Sequence, residues 1–271
     1  MRAPAPAKIN LALAVGPLRA DGRHELLTLY QRLGIVDRIE LEPGPVLRVE
    51  GFPGDTLVHD ALVALAARAG VAPRWHARIE KRLPVAAGVG GGSSDAATAL
   101  RLANATLAEP LGQEELHDLA AGLGADVPFF LADGPQLGAG DGTSLTPLDL
   151  PQDFWVVLLL PRDAEKPSTA AVYAAFDARD GARGWEDRRT ALLEGIERVR
   201  RPRDLAELPP NDLAGSPLAD RLRSLGAFRA DVSGAGPAVY GLFHHRPRAE
   251  AARRSLSGLG RTWLTAPAWY G

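Results

Sequence analysis

The chain contains no cysteine among its 271 residues. This absence excludes disulfide bonds, thiolate metal ligands and a cysteine nucleophile. Long hydrophobic runs are also missing, because apolar runs such as residues 155–161 are too short to span a bilayer. A formal net charge of −2 gives no electrostatic reason to expect a nucleic-acid or membrane partner. We therefore expect a cytoplasmic protein without either kind of partner.

Lysine is scarce as well. Of 31 basic residues only Lys8, Lys81 and Lys166 are lysine, and the others are arginine. A retained lysine points mildly to a place where a compact ammonium functions and a planar guanidinium does not. For Lys81 and Lys166 we favour chance. Lys8 differs, because it lies in an alternating strand pattern at residues 6–15 that puts it beside Asn10, opposite the aliphatic residues. The alternative for this pair is a solvated strand edge.

Glycine, by contrast, is abundant, and its densest cluster lies in the segment LPVAAGVGGGSSDAA at residues 83–97. A strand pattern at 74–81 precedes the cluster, and a helical pattern at 95–103, capped by Ser93 or Ser94, follows it. Such a turn gathers unpaired backbone N–H groups at the positive end of a helix dipole, which suits a phosphate. The segment matches neither the P-loop nor the dinucleotide fingerprint. A flexible turn is therefore the alternative.

Two further segments bear on chemistry. Asp126 lies among small and apolar residues and is followed by Pro128, which prevents helix continuation. A carboxylate in such surroundings needs a partner, and Lys8 is the obvious cation. A helix N-cap is the alternative for Asp126. Residues 231–240 form a strand, a small-residue turn and a second strand, which taken alone predicts a hairpin.

The periodicity predicts alternating strands and helices. Strands are predicted over residues 6–15, 25–33, 38–42, 46–49, 74–81, 154–160, 229–232, 238–243 and 262–264. Helices are predicted over residues 57–69, 95–103, 113–123, 168–176, 187–200, 218–225 and 247–256. The proline-containing stretch at 147–151 is the best candidate for a domain boundary, which divides the chain into 1–150 and 151–271.

Residues 6–15, 83–97 and 231–241 resemble the three motifs of the GHMP kinases, the superfamily of galactokinase, homoserine kinase, mevalonate kinase and phosphomevalonate kinase. The segments DGRH at 21–24 and GADVPFF at 124–130 narrow the resemblance to kinases of a cytidine diphosphate-linked methylerythritol. The resemblance covers most of the chain and implies an α+β fold of two domains. The N-terminal domain would be like ribosomal protein S5 domain 2, the C-terminal domain would be an α/β sandwich, and ATP and substrate would bind between them.

The resemblance also implies a reaction, the transfer of the ATP γ-phosphate to the 2-hydroxyl of that alcohol, with Mg²⁺. Asp126 would accept the hydroxyl proton, and Lys8 would lie beside it. The residues that match substrate-binding positions are Asn10, Arg23, His24, Thr169 and Tyr173. The residues that match the ATP-binding loop are Pro84, Val85, Ala86, Ala87, Gly88, Val89, Gly90, Gly91, Gly92, Ser93 and Ser94.

The chain departs from the family at two places. Arg23 stands where a tyrosine usually stacks on the cytosine, although a guanidinium plane can also stack. The third motif reads SGAGP rather than SGSG, which weakens residues 233–236 as a phosphate contact.

Three alternatives compete with this interpretation. They are another GHMP kinase of the homoserine or mevalonate type, a non-catalytic ligand sensor on the same fold, and an RNA-binding module. No side chain is predicted to be a direct metal ligand, and the oligomeric state is predicted to be a monomer or weak homodimer.

Overall fold

The computed structural model describes residues 1–54, 56–162 and 168–268. In chain order the elements are β1 (Arg2–Leu18), β2 (His24–Pro43), β3 (Arg48–Glu50), α1 (Leu57–Arg68), β4 (Trp75–Glu80), α2 (Gly91–Asn104), α3 (Gln113–Leu123), β5 (Gln136–Gly140), β6 (Ser144–Pro147), β7 (Trp155–Pro161), α4 (Thr169–Ala178), α5 (Trp185–Arg198), α6 (Pro217–Ser224), β8 (Arg229–Val232), β9 (Val239–Phe243), α7 (Arg246–Leu256) and β10 (Gly260–Thr265). Short 3₁₀ turns occupy Pro128–Phe130 and Pro202–Glu207. Strands and helices of this kind, in mostly antiparallel sheets, form an α+β fold.

The chain divides into two compact units, neither of which is one continuous stretch. Unit 1 comprises Met1–Ala7, Ile35–Val85 and Gly90–Asp133. Unit 2 comprises Lys8–Gly34, Ala86–Val89 and the chain from Gly134 onward. The division at residue 150 stays a prediction.

Unit 1 packs helices against the second half of β2 and its neighbours. This half of β2 pairs antiparallel with β4, with Ile39 opposite Ile79, and β3 pairs parallel with β4. α1 packs on α2 and buries its apolar residues at helical spacing, among them Leu62 and Leu65. The predicted helices at 57–69 and 113–123 are confirmed to within a residue, and Gly70 (φ +65°) follows the end of the first.

Unit 2 holds a sheet in the order β10-β7-β9-β8, with every neighbouring pair antiparallel. α6 and α7 bury apolar residues against this sheet, including Leu222 and Leu256 against Val157 and Phe243. The first half of β2 pairs with β5, and β5 pairs with β6. Within the described ranges no helix has the length and apolarity needed to cross a bilayer.

Two predictions of secondary structure are wrong. The strands predicted at 25–33 and 38–42 are one strand, β2, because its two halves pair with different partners, β5 and β4. The sequence pattern also fails to predict strands β5 and β6. β5 reads QLGAG, and its two glycines and its alanine have low strand propensity, so that its pairing with β2 and β6 makes it a strand.

Candidate active site

Lys8 and Asn10 lie on a strand that is buried on both faces. β1 alternates aliphatic and polar residues as predicted, but Lys8 is only 3% exposed and Asn10 only 4%. The Lys8 ammonium donates to Asn10 Oδ1 at 2.7 Å, and Asn10 Nδ2 donates to the Thr28 hydroxyl at 2.7 Å. The Thr28 hydroxyl in turn donates to the carbonyl of Ala12 at 2.9 Å. The solvated-edge interpretation is therefore wrong, because these side chains form a buried polar network.

The Lys8 ammonium also faces an aromatic ring. Its Nζ lies 5.3 Å from the centroid of Tyr30, within the range of a cation–π contact. A buried cation is costly unless polar or aromatic groups replace its water. The carbonyl of Asn10 and the ring of Tyr30 do so here, and they hold the ammonium at a fixed position on unit 2.

Three segments far apart in the sequence meet beside Lys8. The Lys8 backbone N–H donates to the carbonyl of Val89 at 2.9 Å, and the Ala238 N–H donates to the carbonyl of Ala87 at 3.0 Å. The Ser233 hydroxyl donates to the carbonyl of Gly88 at 2.8 Å. The first strand, the glycine-rich loop and the turn between β8 and β9 are thus hydrogen-bonded to one another. The predicted hairpin at 231–240 is confirmed, with Val232 opposite Val239.

Two glycines with positive φ lie at this junction, and Gly88 has no room for a side chain. A Cβ on Gly88 (φ +82°) would lie 2.3 Å from the carbonyl oxygen of Ser233. Gly234 (φ +56°) lies against the polar network, since a Cβ there would be 3.3 Å from Asn10 Oδ1 and 3.7 Å from Lys8 Nζ. Glycine at 234 therefore lets the backbone of the β8–β9 turn approach the Lys8 and Asn10 side chains closely.

The glycine-rich loop leads directly into a helix. α2 begins at Gly91, with Gly90 (φ +70°) as its N-cap, so the predicted capping by Ser93 or Ser94 is wrong. The cause is conformational, because glycine adopts the left-handed cap that serine disfavours. The first N–H groups of α2 have no partner within the helix. In the described part of the chain, the buried Ser94 hydroxyl at this helix end has no hydrogen-bond partner.

A second polar site surrounds His24. Its Nδ1 lies 2.8 Å from the carbonyl of Gly16, so Nδ1 carries a proton, and its Nε2 lies 3.4 Å from Asp177 Oδ1. Tyr173 stacks on the imidazole with a centroid distance of 5.1 Å and an interplanar angle of 25°. Phe176 meets the same ring edge-on at 5.7 Å. The ring contacts from α4 therefore fix the orientation of His24, and the carbonyl of Gly16 on β1 fixes its tautomer.

Arg23 lies next to this site and is held by a carboxylate. Its guanidinium forms an ion pair with Asp141, which also accepts from the hydroxyl and N–H of Thr143. Burial by itself raises the pKa of Asp141, but the hydrogen bonds from Thr143 and Arg23 outweigh burial and lower it. Thr169, the first residue of α4, is exposed.

Asp126 is half-buried in the turn before the 3₁₀ segment Pro128–Phe130. The N-cap of that segment is Val127, so the N-cap interpretation of Asp126 is wrong. Asp126 belongs to unit 1 and Lys8 to unit 2, and the pairing of the two stays a prediction. Lys166 lies outside the described residues.

Comparisons with known proteins show the family to which the chain is related. Residues 56–134 match the model of the GHMP kinases N terminal domain, and residues 216–262 match that of the GHMP kinases C terminal. A 4-diphosphocytidyl-2-C-methyl-D-erythritol kinase of Anaeromyxobacter sp. (strain Fw109-5) is 40% identical, over 93% of this chain and 85% of the relative. The chain belongs to the GHMP kinase family. A kinase of the same name from Streptomyces avermitilis is 37% identical over 97% of this chain and 95% of the relative.

Solved structures show the same fold. The crystal structure of a 4-(cytidine 5'-diphospho)-2C-methyl-D-erythritol kinase covers 100% of both chains with a TM-score of 0.80 and 33% identity. A mevalonate kinase structure, at 11% identity and a TM-score of 0.71, shares the GHMP kinase fold. The α+β, two-domain GHMP kinase architecture expected from the sequence is confirmed.

This GHMP kinase has a polar centre that the sequence analysis missed. Asn211 is buried, and its Nδ2 donates to the carbonyls of Val232 at 3.0 Å and Gly234 at 2.7 Å, while its Oδ1 accepts from the Leu213 N–H. It thereby fixes the backbone that faces Lys8. The short segment Asn-Asp-Leu at 211–213 carries no periodic or charge signal, and only its position beside the β8–β9 turn identifies it.

The same GHMP kinase offers few acidic ligands to a cation. Across residues 1–54, 56–162 and 168–268 there is no group of three or more His, Cys, Asp or Glu side chains that could hold a metal ion. A Mg²⁺ ion near α2 would take its ligands from phosphate oxygens, water and a hydroxyl such as that of Ser94, which needs a partner. These oxygen donors fit the ligand preference of Mg²⁺.

Proposed function

We propose that this chain is an ATP-dependent kinase that phosphorylates the 2-hydroxyl of 4-diphosphocytidyl-2-C-methyl-D-erythritol, a step toward isoprenoid precursors. The main support is the junction at Lys8, where the backbone N–H of Lys8 and the β8–β9 turn are hydrogen-bonded to the glycine-rich loop, while the buried ammonium is bonded to Asn10. A phosphoryl transfer requires a fixed cation beside a backbone cradle for phosphate, because the enzyme acts mainly by positioning and charge stabilisation.

The phosphates of ATP are bound by the glycine-rich loop, residues 84–94, at the N-terminus of α2. The N–H groups of Gly91, Gly92 and Ser93 and the positive end of the helix dipole face the bound anion. The Ser94 hydroxyl completes the donor set. Mg²⁺, when bound, would supply positive charge to the phosphates, and the Ser94 hydroxyl would be its protein ligand.

The acceptor hydroxyl loses its proton to Asp126, which we carry over from the family resemblance. In a loose transition state the attacking oxygen has formed little of its bond to phosphorus, so a strong base is not needed. The role of Asp126 is to orient the hydroxyl as well as to take the proton. Lys8 compensates the negative charge near the transferring phosphoryl group, and Asn10 holds the ammonium and contacts the substrate. Thr169 is a further substrate contact.

The cytosine of the substrate is recognised by the site around His24. Because Nδ1 donates to the carbonyl of Gly16, the Nε2 of a neutral imidazole is a hydrogen-bond acceptor; it forms no hydrogen bond with the exposed Asp177 carboxylate 3.4 Å away and can accept one from the substrate. Cytosine offers an amine donor at the edge where uracil offers a carbonyl, so an acceptor at Nε2 favours cytosine. Tyr173 and the guanidinium plane of Arg23, fixed by Asp141, supply faces on which the base can stack.

A competition among acceptor alcohols tests this function. Purified protein is incubated with ATP, Mg²⁺ and an equimolar mixture of the cytidine diphosphate-linked methylerythritol, mevalonate and homoserine, and phosphorylated products are identified by mass spectrometry. We expect one product, derived from the cytidine-linked alcohol. Phosphorylation of mevalonate or homoserine instead would assign the chain to another activity of the GHMP kinases, and no product with any alcohol would favour the ligand sensor.

A further inference from the structure

A buried cluster of three charges lies at the end of β4. The Lys81 ammonium is 2.8 Å from Asp37 Oδ2 and 2.6 Å from Asp95 Oδ2. Both carboxylate side chains are 0% exposed, and the lysine side chain is 11% exposed. The ring of Phe52 covers the ammonium, with its centroid 5.7 Å from Nζ. The interpretation of Lys81 as a chance lysine is therefore wrong.

A buried ionic cluster is not retained for stability alone. Taking charges out of water is costly, and well-packed apolar residues often stabilise a protein as well as a buried ion pair does. Such clusters are better explained by what they hold in place. In this chain, which places arginine at nearly every other basic position, a compact ammonium between two carboxylates also indicates a space with no room for a guanidinium.

Asp37 connects the cluster to the entrance of the glycine-rich loop. While Oδ2 faces Lys81, Oδ1 accepts from the backbone N–H groups of Arg82 at 2.5 Å and Leu83 at 2.7 Å. These are the two residues immediately before Pro84, where the glycine-rich loop begins. One carboxylate thus fixes the direction in which the chain leaves β4.

Asp95 connects the same ammonium to the exit of the loop. It lies in the first turns of α2, the helix that follows the loop. Lys81 also packs against the start of that helix, because a Cβ on Gly91 would lie 3.2 Å from Nζ. The two ends of the loop are therefore tied to one side chain.

We propose that Lys81, Asp37 and Asp95 are positioning residues for the phosphate-binding loop, joining its two ends so that the N–H groups at the start of α2 are held in the orientation that binds ATP. This inference rests on the proposed function, in which that loop binds the phosphates. It assigns the cluster no contact with ATP and no role in the acceptor site.

The main test is the double variant Lys81→Met/Asp95→Asn. Lys81→Met alone leaves two buried carboxylates without their cation, whereas the double variant removes one positive and one negative charge and keeps the net charge of the cluster. It also keeps the bonds from Asp37 to Arg82 and Leu83. Arg82→Met is the matched control, because it removes a cation one residue away whose side chain is exposed and pairs with Glu80.

Four quantities are measured for each variant: the Kd of ATP by calorimetry, the KM values for ATP and for the acceptor, and the melting temperature. We expect the double variant to weaken ATP binding and raise the KM for ATP by about tenfold or more, since small misplacements of binding groups are costly. The KM for the acceptor stays at the wild-type value, and Arg82→Met matches the wild type in all four.

Unchanged ATP affinity in the folded double variant would overturn the inference. A parallel change in both KM values together with a large fall in melting temperature would overturn it too, because a merely structural cluster affects both substrates. A wild-type protein that binds no ATP would contradict the proposed function instead, so the two failures are distinguishable.

Discussion

The hydroxyl of Ser233 donates a hydrogen bond of 2.8 Å to the carbonyl oxygen of Gly88, 145 residues earlier in the chain. The bond joins the third motif to the glycine-rich loop, and Ser233 is fully buried. Ser233 is the one serine in residues 233–237, and it holds a backbone carbonyl of the loop.

Gly88→Ala tests whether the loop needs this close approach. The new Cβ would lie 2.3 Å from the carbonyl oxygen of Ser233, so we expect the loop to be displaced and ATP binding to be lost. Gly70→Ala is the control, because Gly70 has a positive φ of +65° but nothing within 4 Å of the added atom. The control should lose about 1–2 kcal/mol of stability from backbone strain alone. Calorimetric titration with ATP and denaturant unfolding measure the two effects, and tight ATP binding by Gly88→Ala would contradict the account.

The sequence predicts the fold where local pattern and final pairing agree. β1 shows its alternation, and α1 and α3 show helical periodicity between clear stops, so their bounds are predicted closely. β2 and β5 are different, because the continuity of β2 depends on its partners β4 and β5, and β5 is a strand through its pairing with β2 and β6. The local pattern of one segment does not predict which distant segment it will pair with.

The candidate site also has residues that a local pattern predicts and residues that only the folded structure identifies. The glycine-rich loop carries a local strand–turn–helix pattern that suits a phosphate, and Lys8 and Asn10 carry an alternating strand pattern that places them side by side. Asn211 and Lys81 do not, because each is a single polar residue whose importance depends on the backbone groups or carboxylates that the fold brings to it.

Asp126→Asn tests the proposed base. The amide keeps the shape of the carboxylate but cannot take the proton of the acceptor hydroxyl, so kcat should fall by roughly 10²–10⁴-fold. ATP affinity should stay at the wild-type value. Asp118→Asn, an equivalent change at an exposed carboxylate on α3, is the control and should be fully active. Steady-state kinetics on the folded variants decide the question, and wild-type turnover by Asp126→Asn would remove it from the mechanism.

Lys8→Arg keeps the charge and changes the shape. Gly234 lies close to the Lys8 Nζ, and Asn10 and Tyr30 enclose it, so a guanidinium does not fit without moving the β8–β9 turn. We expect kcat to fall by about 10²-fold or more. Arg2→Lys, at the exposed start of the same strand, should leave kcat unchanged. A fully active Lys8→Arg variant would show that only the charge matters.

His24→Ala tests cytosine recognition. Loss of the acceptor at Nε2 and of the ring that stacks on Tyr173 should cost about 1–3 kcal/mol of substrate binding, the worth of a base–aromatic contact. The variant should also accept a uridine analogue almost as well as the cytidine substrate, while ATP binding is unchanged. His59→Ala, on the exposed face of α1, is the matched control. Binding of both compounds is measured by calorimetry. If His24→Ala still prefers the cytidine substrate over the uridine analogue as strongly as the wild type does, another residue recognises the cytosine.

The buried cluster at Lys81 predicts a dependence of stability on alkaline pH. Burial lowers the pKa of Lys81, but Asp95 and Asp37 outweigh burial and raise it. The stabilisation by Lys81 is therefore fully present below the unfolded-state pKa of about 10.4 and is lost as the pH rises through the folded-state value. Denaturant unfolding from about pH 8 upward should show this loss in the wild type and not in Lys81→Met/Asp95→Asn. Parallel curves for the two proteins would contradict the assignment.

In the proposed reaction the protein transfers the γ-phosphate of ATP to one hydroxyl of a cytidine-linked alcohol. The most direct test supplies ATP labelled in its γ-phosphate together with 4-diphosphocytidyl-2-C-methyl-D-erythritol, and locates the label in the product by phosphorus–proton NMR. The account predicts the label on the 2-hydroxyl, with a rate that collapses in Asp126→Asn. Label on a different hydroxyl, or label released only as inorganic phosphate, would contradict it.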